Sequence, residues 1–197
     1  MDERFYKKIY SHRDFYKCIV LTFRGAKYLK LNKRKELISP QFKERIMLAV
    51  TEVNGCEACS YAHTKFALET GMNSDEINAI LDGDIENSPK NELVALLFAQ
   101  HYTDEKGAAS KESWQRLTYE YGKESAMIIL AIIRMMNTAN IYGIAISAIK
   151  DRFKGKPSKK TTLWYEISIL VFGLFYIPTA AIHAAFYNII KKSILPF

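Results

Sequence analysis

The chain has little cysteine, with three residues among 197. A secreted disulfide framework normally has more cysteines in a shorter chain, so the scarcity argues against that class of protein. The first residues, Met1–Arg4, also lack the cationic start and short apolar run of a secretory signal peptide. Both absences favour a reducing compartment, and we expect a cytoplasmic protein.

The alternating polar and β-branched runs that β-hairpins need are missing as well. Apolar residues instead recur at spacings of three and four, as one face of a helix requires. Ser39 and Pro40 suit a helix start, and Gly55 suits a helix end just before Cys56. The sequence therefore predicts an all-α protein, in which residues 3–30 form one broken helix or two short helices.

Positive charge exceeds negative charge, with 28 Lys and Arg against 21 Asp and Glu, but no known nucleic-acid motif surrounds the basic stretches. Those stretches, at residues 27–35 and 150–160, are broken by apolar residues or lie in a predicted linker. We expect solvated helix ends and no nucleic-acid partner. A basic face toward anionic lipid is the alternative.

The composition changes near residue 154. An apolar helix is predicted for residues 123–153, after a helix that ends near Gly122. Proline, glycine and like charges then oppose a packed helix. We predict a helical domain at 1–153, a basic linker at 154–162 and an apolar C-terminal helical segment at 163–197.

The C-terminal segment is long enough to cross a bilayer, because residues 167–190 contain no charged group other than His183. Smaller or more polar residues recur in it every seven positions, and such a stripe suits helix packing in lipid or in an oligomer. Whether residues 163–190 associate with a membrane or pack in a homo-oligomer stays open. The stripe consists of Glu166, Gly173, Ala180 and Tyr187.

Chemistry is concentrated in Cys56-Glu-Ala-Cys59 and His63, which fall on one face of a helix that starts near residue 56. The positive end of the helix dipole favours a thiolate there, and His63 could accept its proton. One thiolate can attack a peroxide oxygen or a disulfide sulfur, and the second thiol can resolve the product. The spacing indicates a redox-active dithiol.

Zinc binding and inert core cysteines are the alternatives for this pair. Structural zinc needs four ligands, and the other candidates are not paired at ligand spacing. A thioredoxin motif would follow a strand, whereas helices flank this one. We expect no metal and no organic cofactor. The other candidate ligands are Cys18, His12, His101 and His183.

Residues 44–63, which read ERIMLAVTEVNGCEACSYAH, resemble the active-site segment of the alkylhydroperoxidase AhpD-like proteins of the carboxymuconolactone decarboxylase superfamily. The shared features are a glutamate twelve positions before the first cysteine and the pattern Asn-Gly-Cys-X-X-Cys-X-X-X-His. The resemblance covers roughly residues 36–150 and reaches Asn137 and Asn140. It implies an AhpD-like helical bundle, to which the apolar C-terminal segment is added.

By this resemblance, Cys59 is the peroxidatic nucleophile and Cys56 the resolving thiol, while Glu44 and His63 form a proton relay that activates Cys59. The implied activity is that of a peroxiredoxin-type thiol peroxidase or disulfide oxidoreductase. Its substrate would be a small peroxide or disulfide, and an external thiol reductant would regenerate the dithiol. We also expect a homo-oligomer.

Two departures from the family pattern bear on this prediction. Ala58 stands where the better-studied relatives have a histidine, and Ile141 replaces the arginine that follows the late asparagine. Two other functions stay open. A lyase of the carboxymuconolactone decarboxylase type would need no dithiol, and a membrane-anchored redox sensor or interaction module would explain the apolar C-terminal segment.

Overall fold

The computed structural model describes residues 4–195 and contains seven helices and no strand in that range. The all-α prediction is confirmed. Residues 1–3 and 196–197 lie outside the described residues. The prediction that the chain has no signal peptide rests mostly on residues 1–3, so it also lies outside them. The helices are α1 (His12–Lys35), α2 (Pro40–Asn54), α3 (Glu57–Glu69), α4 (Ser74–Leu81), α5 (Leu93–Asp104), α6 (Lys111–Phe153) and α7 (Leu163–Ile189).

Helix α2 begins and ends where its local sequence predicts. The Ser39 side chain accepts a hydrogen bond from the Phe42 N–H at 3.1 Å, and Pro40 occupies the first turn. Gly55 ends the helix at φ 69°, in the left-handed region. A Cβ at Gly55 would also lie 2.7 Å from the backbone nitrogen of Lys7, so both conformation and space require glycine.

The prediction of a broken helix or two short helices at residues 3–30 is wrong. Helix α1 is continuous and starts only after Ser11, which forms a capping box with Asp14. Residues 4–10, here called the N-terminal strap, run across the end of α2 instead. Their backbone donates to it, with Tyr6 N–H bonded to Gly55 O at 2.7 Å. The aromatic residues ahead of Ser11 thus serve tertiary packing, and Tyr6 is fully buried.

Helix α6 contains a break at Gly122, where φ is 73° and ψ is 161°. This agrees with the predicted boundary between two helices at that residue. The part after Gly122 passes through the main hydrophobic core and packs against α1, α2, α3 and α5. It is therefore the central helix of the domain, against which these four helices pack.

Helix α7 packs on α1 and α6 of its own chain through the predicted stripe. Glu166, Gly173 and Ala180 are buried there, and Tyr187 is half-buried. The stripe is thus occupied within the chain, rather than by lipid or a second copy. The buried Glu166 carboxylate accepts two hydrogen bonds from Arg152, at 2.7 and 2.8 Å, which offset its loss of hydration.

The opposite side of α7 is exposed and apolar. Both α6 and α7 are long and apolar enough to cross a bilayer, but α6 is mostly buried inside the domain, whereas α7 is mostly exposed. These features alone are weak grounds for a membrane span, and the division at 154–162 stays a prediction. The exposed large side chains include Trp164, Ile167, Val171, Phe172, Leu174, Phe175, Ile177, Ile182, Phe186 and Ile189.

Candidate active site

The two cysteines of the motif lie at the start of α3, immediately after the turn at Gly55. Cys56 is the N-cap residue, and its sulfur accepts a hydrogen bond from the Cys59 N–H at 3.2 Å. The two sulfurs form a disulfide, with the Cα atoms 5.3 Å apart. Cys56 is fully buried, whereas 9% of Cys59 is exposed. Cys59 is thus the more exposed of the two residues, and Cys56 is the one at which the helix N-terminus favours negative charge.

Glu44 and His63 meet across the hairpin of α2 and α3. Glu44 Oε2 lies 2.7 Å from His63 Nδ1, and the two side chains are 7% and 16% exposed. Among the hydrogen bonds of residues 4–195, none joins the His63 ring to a cysteine sulfur. The carboxylate therefore holds one ring nitrogen and orients the imidazole, as carboxylate partners of functional histidines do. The structure brings the two predicted relay residues together.

The neighbour of Glu44 on α2, Arg45, faces a different partner set. Arg45 Nε lies 2.5 Å from Glu76 Oε1, and its NH1 lies 3.1 Å from Glu92 Oε2. Burial raises the pKa of the Glu92 carboxyl above its ordinary value, against the lowering effect of Arg45. Arg45 is thus paired with two other carboxylates, whereas Glu44 pairs with His63 through Oε2 and lies 3.9 Å from Lys43 Nζ through Oε1. Glu44 is buried, so its carboxylate is not a solvated surface group.

Small residues of α6 pack directly against the two cysteines and the first turn of α3. A Cβ placed on Gly143 would lie 2.5 Å from the Cys56 sulfur and 2.6 Å from the Cys59 sulfur. One turn later, buried Ser147 accepts the Ala58 N–H at 3.1 Å, which satisfies a donor in the first turn of α3. Sequence reasoning missed both residues. The available signal was an isolated glycine inside a long apolar helical pattern, which often marks close packing.

The late asparagines of the resemblance support the hairpin from α6. Asn137 accepts a hydrogen bond from Asn54 at 2.8 Å, and Asn140 donates to the Val50 carbonyl at 3.3 Å. Tyr10 donates to the Asn54 side-chain oxygen at 2.7 Å. These groups are buried and paired with one another, as buried polar groups must be. They position the end of α2, and so the turn that leads to the cysteines.

The two departures from the family pattern lie in different surroundings. Ala58 is exposed, so the missing histidine would stand on the surface of α3 beside the disulfide. Ile141 is 1% exposed and packs with Phe15 of α1 and Ile169 of α7 in a second hydrophobic cluster. Since α7 covers this position, an arginine there would be buried against apolar side chains.

The remaining candidate ligands do not join the site. Cys18 lies on α1, where burial raises the pKa of its thiol to about 12. His12 Nε2 lies 2.9 Å from Ser168 Oγ, and the His183 ring lies 4.2 Å from the Tyr187 ring at a tilt of 58°. His101 Nε2 accepts the Ser110 N–H at 3.4 Å. Within residues 4–195, no group of three or more His, Cys, Asp or Glu side chains is arranged to hold a metal ion.

Comparison with known families supports the resemblance. Residues 22–99 match the family model described as "Carboxymuconolactone decarboxylase family". The matched segment includes Glu44, Cys56, Cys59 and His63, and it confirms the resemblance over that range. Neither the curated proteins nor the solved structures compared with the chain give a match.

Proposed function

We propose, from the premise that residues 22–99 carry the carboxymuconolactone decarboxylase family segment, that the protein is a thiol-dependent oxidoreductase of the alkylhydroperoxidase type. One observation carries the proposal. Cys56 and Cys59 form a disulfide on the same hairpin that pairs Glu44 with His63. A dithiol that closes in this way supplies two electrons, which a peroxide can accept.

In the proposed first step, the Cys59 thiolate attacks the terminal oxygen of a hydroperoxide. The O–O bond breaks, a sulfenic acid forms on Cys59, and the departing alkoxide takes a proton from His63. The sulfur is oxidised by two electrons and the peroxide is reduced to an alcohol. Exposure favours Cys59 for this role, because Cys56 is fully buried. Glu44 keeps the imidazole oriented and stabilises its protonated form.

In the proposed second step, the Cys56 thiol attacks the Cys59 sulfur, the S–O bond breaks and water leaves. An external thiol reductant then attacks the disulfide at Cys59, the more exposed of the two residues. Cys56 leaves as a thiolate at the N-cap of α3, where it accepts the Cys59 N–H. A stabilised leaving thiolate speeds such an exchange. A second reductant thiol completes the cycle, and no cofactor takes part.

The direct test treats the fully reduced protein with mild peroxide and follows its thiols by mass spectrometry. We expect loss of two hydrogens from the peptide that contains Cys56 and Cys59. Cys18 serves as the internal control and should remain a free thiol, because burial keeps it protonated. The proposal fails if both motif thiols survive conditions that oxidise a simple dithiol completely.

Single variants test the assignment of the two cysteines. Cys59→Ser should abolish peroxide turnover, whereas Cys56→Ser should react once and stop as a sulfenic acid on Cys59. A dimedone-type reagent traps that species. Trapping on Cys56 in the Cys59→Ser protein would reverse the roles.

A membrane-associated redox sensor is the second candidate, and the exposed apolar side of α7 favours it. A sensor would form the disulfide but would not turn over with excess reductant. Steady-state peroxide consumption therefore separates the two functions. A decarboxylase-type lyase would keep its activity when both Cys56 and Cys59 are replaced by serine.

A further inference from the structure

A cavity lies between α1, α6, α7 and residues 192–195, with a volume of about 850 Å³. The two cysteines of the dithiol do not line it, so it is distinct from the candidate active site. Its walls include Arg24 of α1 and Arg134 of α6, which are only 3% and 4% exposed. Arginine is seldom buried so completely without an anionic partner.

Neutral oxygens accept the hydrogen bonds of these arginines: backbone carbonyls, the Tyr102 hydroxyl and the Asn188 side-chain amide. Arg24 donates to the carbonyls of Lys192 and of Ser193, the latter at 2.9 Å. Arg134 donates to the Ile194 carbonyl and to the Tyr102 hydroxyl, both at 2.8 Å. Neither guanidinium forms an ion pair with a carboxylate in the part of the chain that the structure describes. The Arg24 guanidinium also lies over the Tyr187 ring at 5.5 Å, and that of Arg134 lies over the Tyr102 ring at 5.6 Å. These uncharged partners position the two positive charges but do not neutralise them.

The two guanidinium groups also repel each other. Burial lowers the pKa of Arg24, and the nearby charge of Arg134 lowers it further. An anion between them would relieve both effects. If the two arginines served only to hold residues 192–194 in place, uncharged hydrogen-bond donors would be enough, and two buried positive charges would not be needed.

The rest of the cavity wall contains both basic and apolar side chains. Arg13 and Lys17 line it, and Asp14, its one carboxylate among the described lining residues, is engaged in capping α1. Val20 and Leu21 supply apolar wall. The cavity borders the C-terminal half of α7, whose outer side exposes large apolar side chains.

We propose that this cavity binds an anionic amphiphile, a phosphate or carboxylate head group that carries an acyl chain. The head group accepts hydrogen bonds from Arg24 and Arg134, with Arg13 and Lys17 adding attraction from the rim. The acyl chain lies along the apolar wall toward the exposed side of α7. This site is independent of the redox function and requires no electron transfer.

The test is calorimetric titration of the full chain with dodecyl phosphate and with dodecanoate, each below its micellar concentration. Inorganic phosphate and the uncharged dodecyl maltoside are the comparison ligands. We expect both anionic amphiphiles to bind more tightly than either comparison ligand. Equal binding of inorganic phosphate would overturn the role of the acyl chain, and equal binding of the maltoside would overturn the role of the charge.

Variants locate the site. Arg134→Gln should weaken binding of dodecyl phosphate about 10- to 100-fold, the usual effect of removing a hydrogen bond between charged groups. Should that variant fail to fold, the double variant Arg13→Gln, Lys17→Gln removes two charges from the rim and should weaken binding several-fold. Lys30→Gln is the matched control for Arg134→Gln, because it also removes one positive charge, at an exposed position of α1. Unchanged affinity in the folded variants would overturn the proposal.

Discussion

Gly143→Ala tests whether the close approach of α6 to the dithiol is required. The new Cβ would lie 2.5 and 2.6 Å from the two sulfurs, almost 1 Å short of the 3.4 Å at which ordinary contact begins. The end of a flexible side chain can move to relieve such a contact, but the backbone of a helix and a disulfide cannot. We therefore expect the substitution to displace α6 or α3 and to disturb the geometry in which the thiols close.

The expected loss of stability follows from two opposing effects. Overpacking in a filled core costs about 1–3 kcal/mol, and replacing glycine by alanine inside a helix returns about 1 kcal/mol. The net loss is then up to about 2 kcal/mol. For a protein of this size each kcal/mol lowers the melting temperature by about 2–4 °C, so a fall of several degrees is expected.

Two quantities are measured for each variant. Circular dichroism gives the melting temperature of the oxidised protein, and a peroxide reaction gives the rate at which the reduced protein forms its disulfide. Gly25→Ala is the control, since it makes the same change in α1 with a milder contact of 3.1 Å to Ala131 Cβ. Gly143→Ala should be less stable than this control and should close its disulfide more slowly. Parent-like stability together with a parent-like closing rate would refute the reasoning.

Three further predictions follow from the site and its surroundings. Glu44→Gln and His63→Gln should each lower peroxide turnover about 10²- to 10⁴-fold at neutral pH, with partial recovery as alkaline pH ionises the thiol unaided; an unchanged rate with a lowered melting temperature would mean that the pair is only structural. Arg45→Met leaves two carboxylates without their buried partner and should cost about 3–5 kcal/mol in urea unfolding, and a loss below about 1 kcal/mol would contradict this. Cys18 should be alkylated at pH 8 about 10³-fold more slowly than a free thiol, and faster as the pH rises, because desolvation raises the pKa of its thiol to about 12 and only the thiolate reacts; rapid labelling of the folded protein at pH 8 would contradict the raised pKa.

Part of the candidate site could be predicted from sequence because its determinants are local. The spacing of Cys56 and Cys59 is that of one helical turn, and the Gly55 helix end places them at an N-terminus. The pairing of Glu44 with His63 needed the family resemblance, since the two residues are separated by a turn whose geometry brings them together. The spacing alone did not distinguish this pair from a surface salt bridge.

The stripe on α7 shows why one pattern can have several outcomes. Small residues such as Gly173 and Ala180 allow close helix packing against lipid-embedded helices, a second copy or the same chain. The sequence pattern is identical in each case. Only the docking of α7 on α1 and α6 decides that the stripe is used internally, and that docking depends on the summed fit of three helices.

The sequence by itself determined the all-α class, the capped start and end of α2 and the dithiol on the first turn of α3, because caps and helical spacing act over a few residues. The tertiary structure decided which residues from distant parts of the chain meet. Gly143 lies against the disulfide, and Arg24 and Arg134 share one cavity, although each contact joins segments far apart in sequence. Such contacts depend on how whole helices pack, and no local pattern specifies that packing.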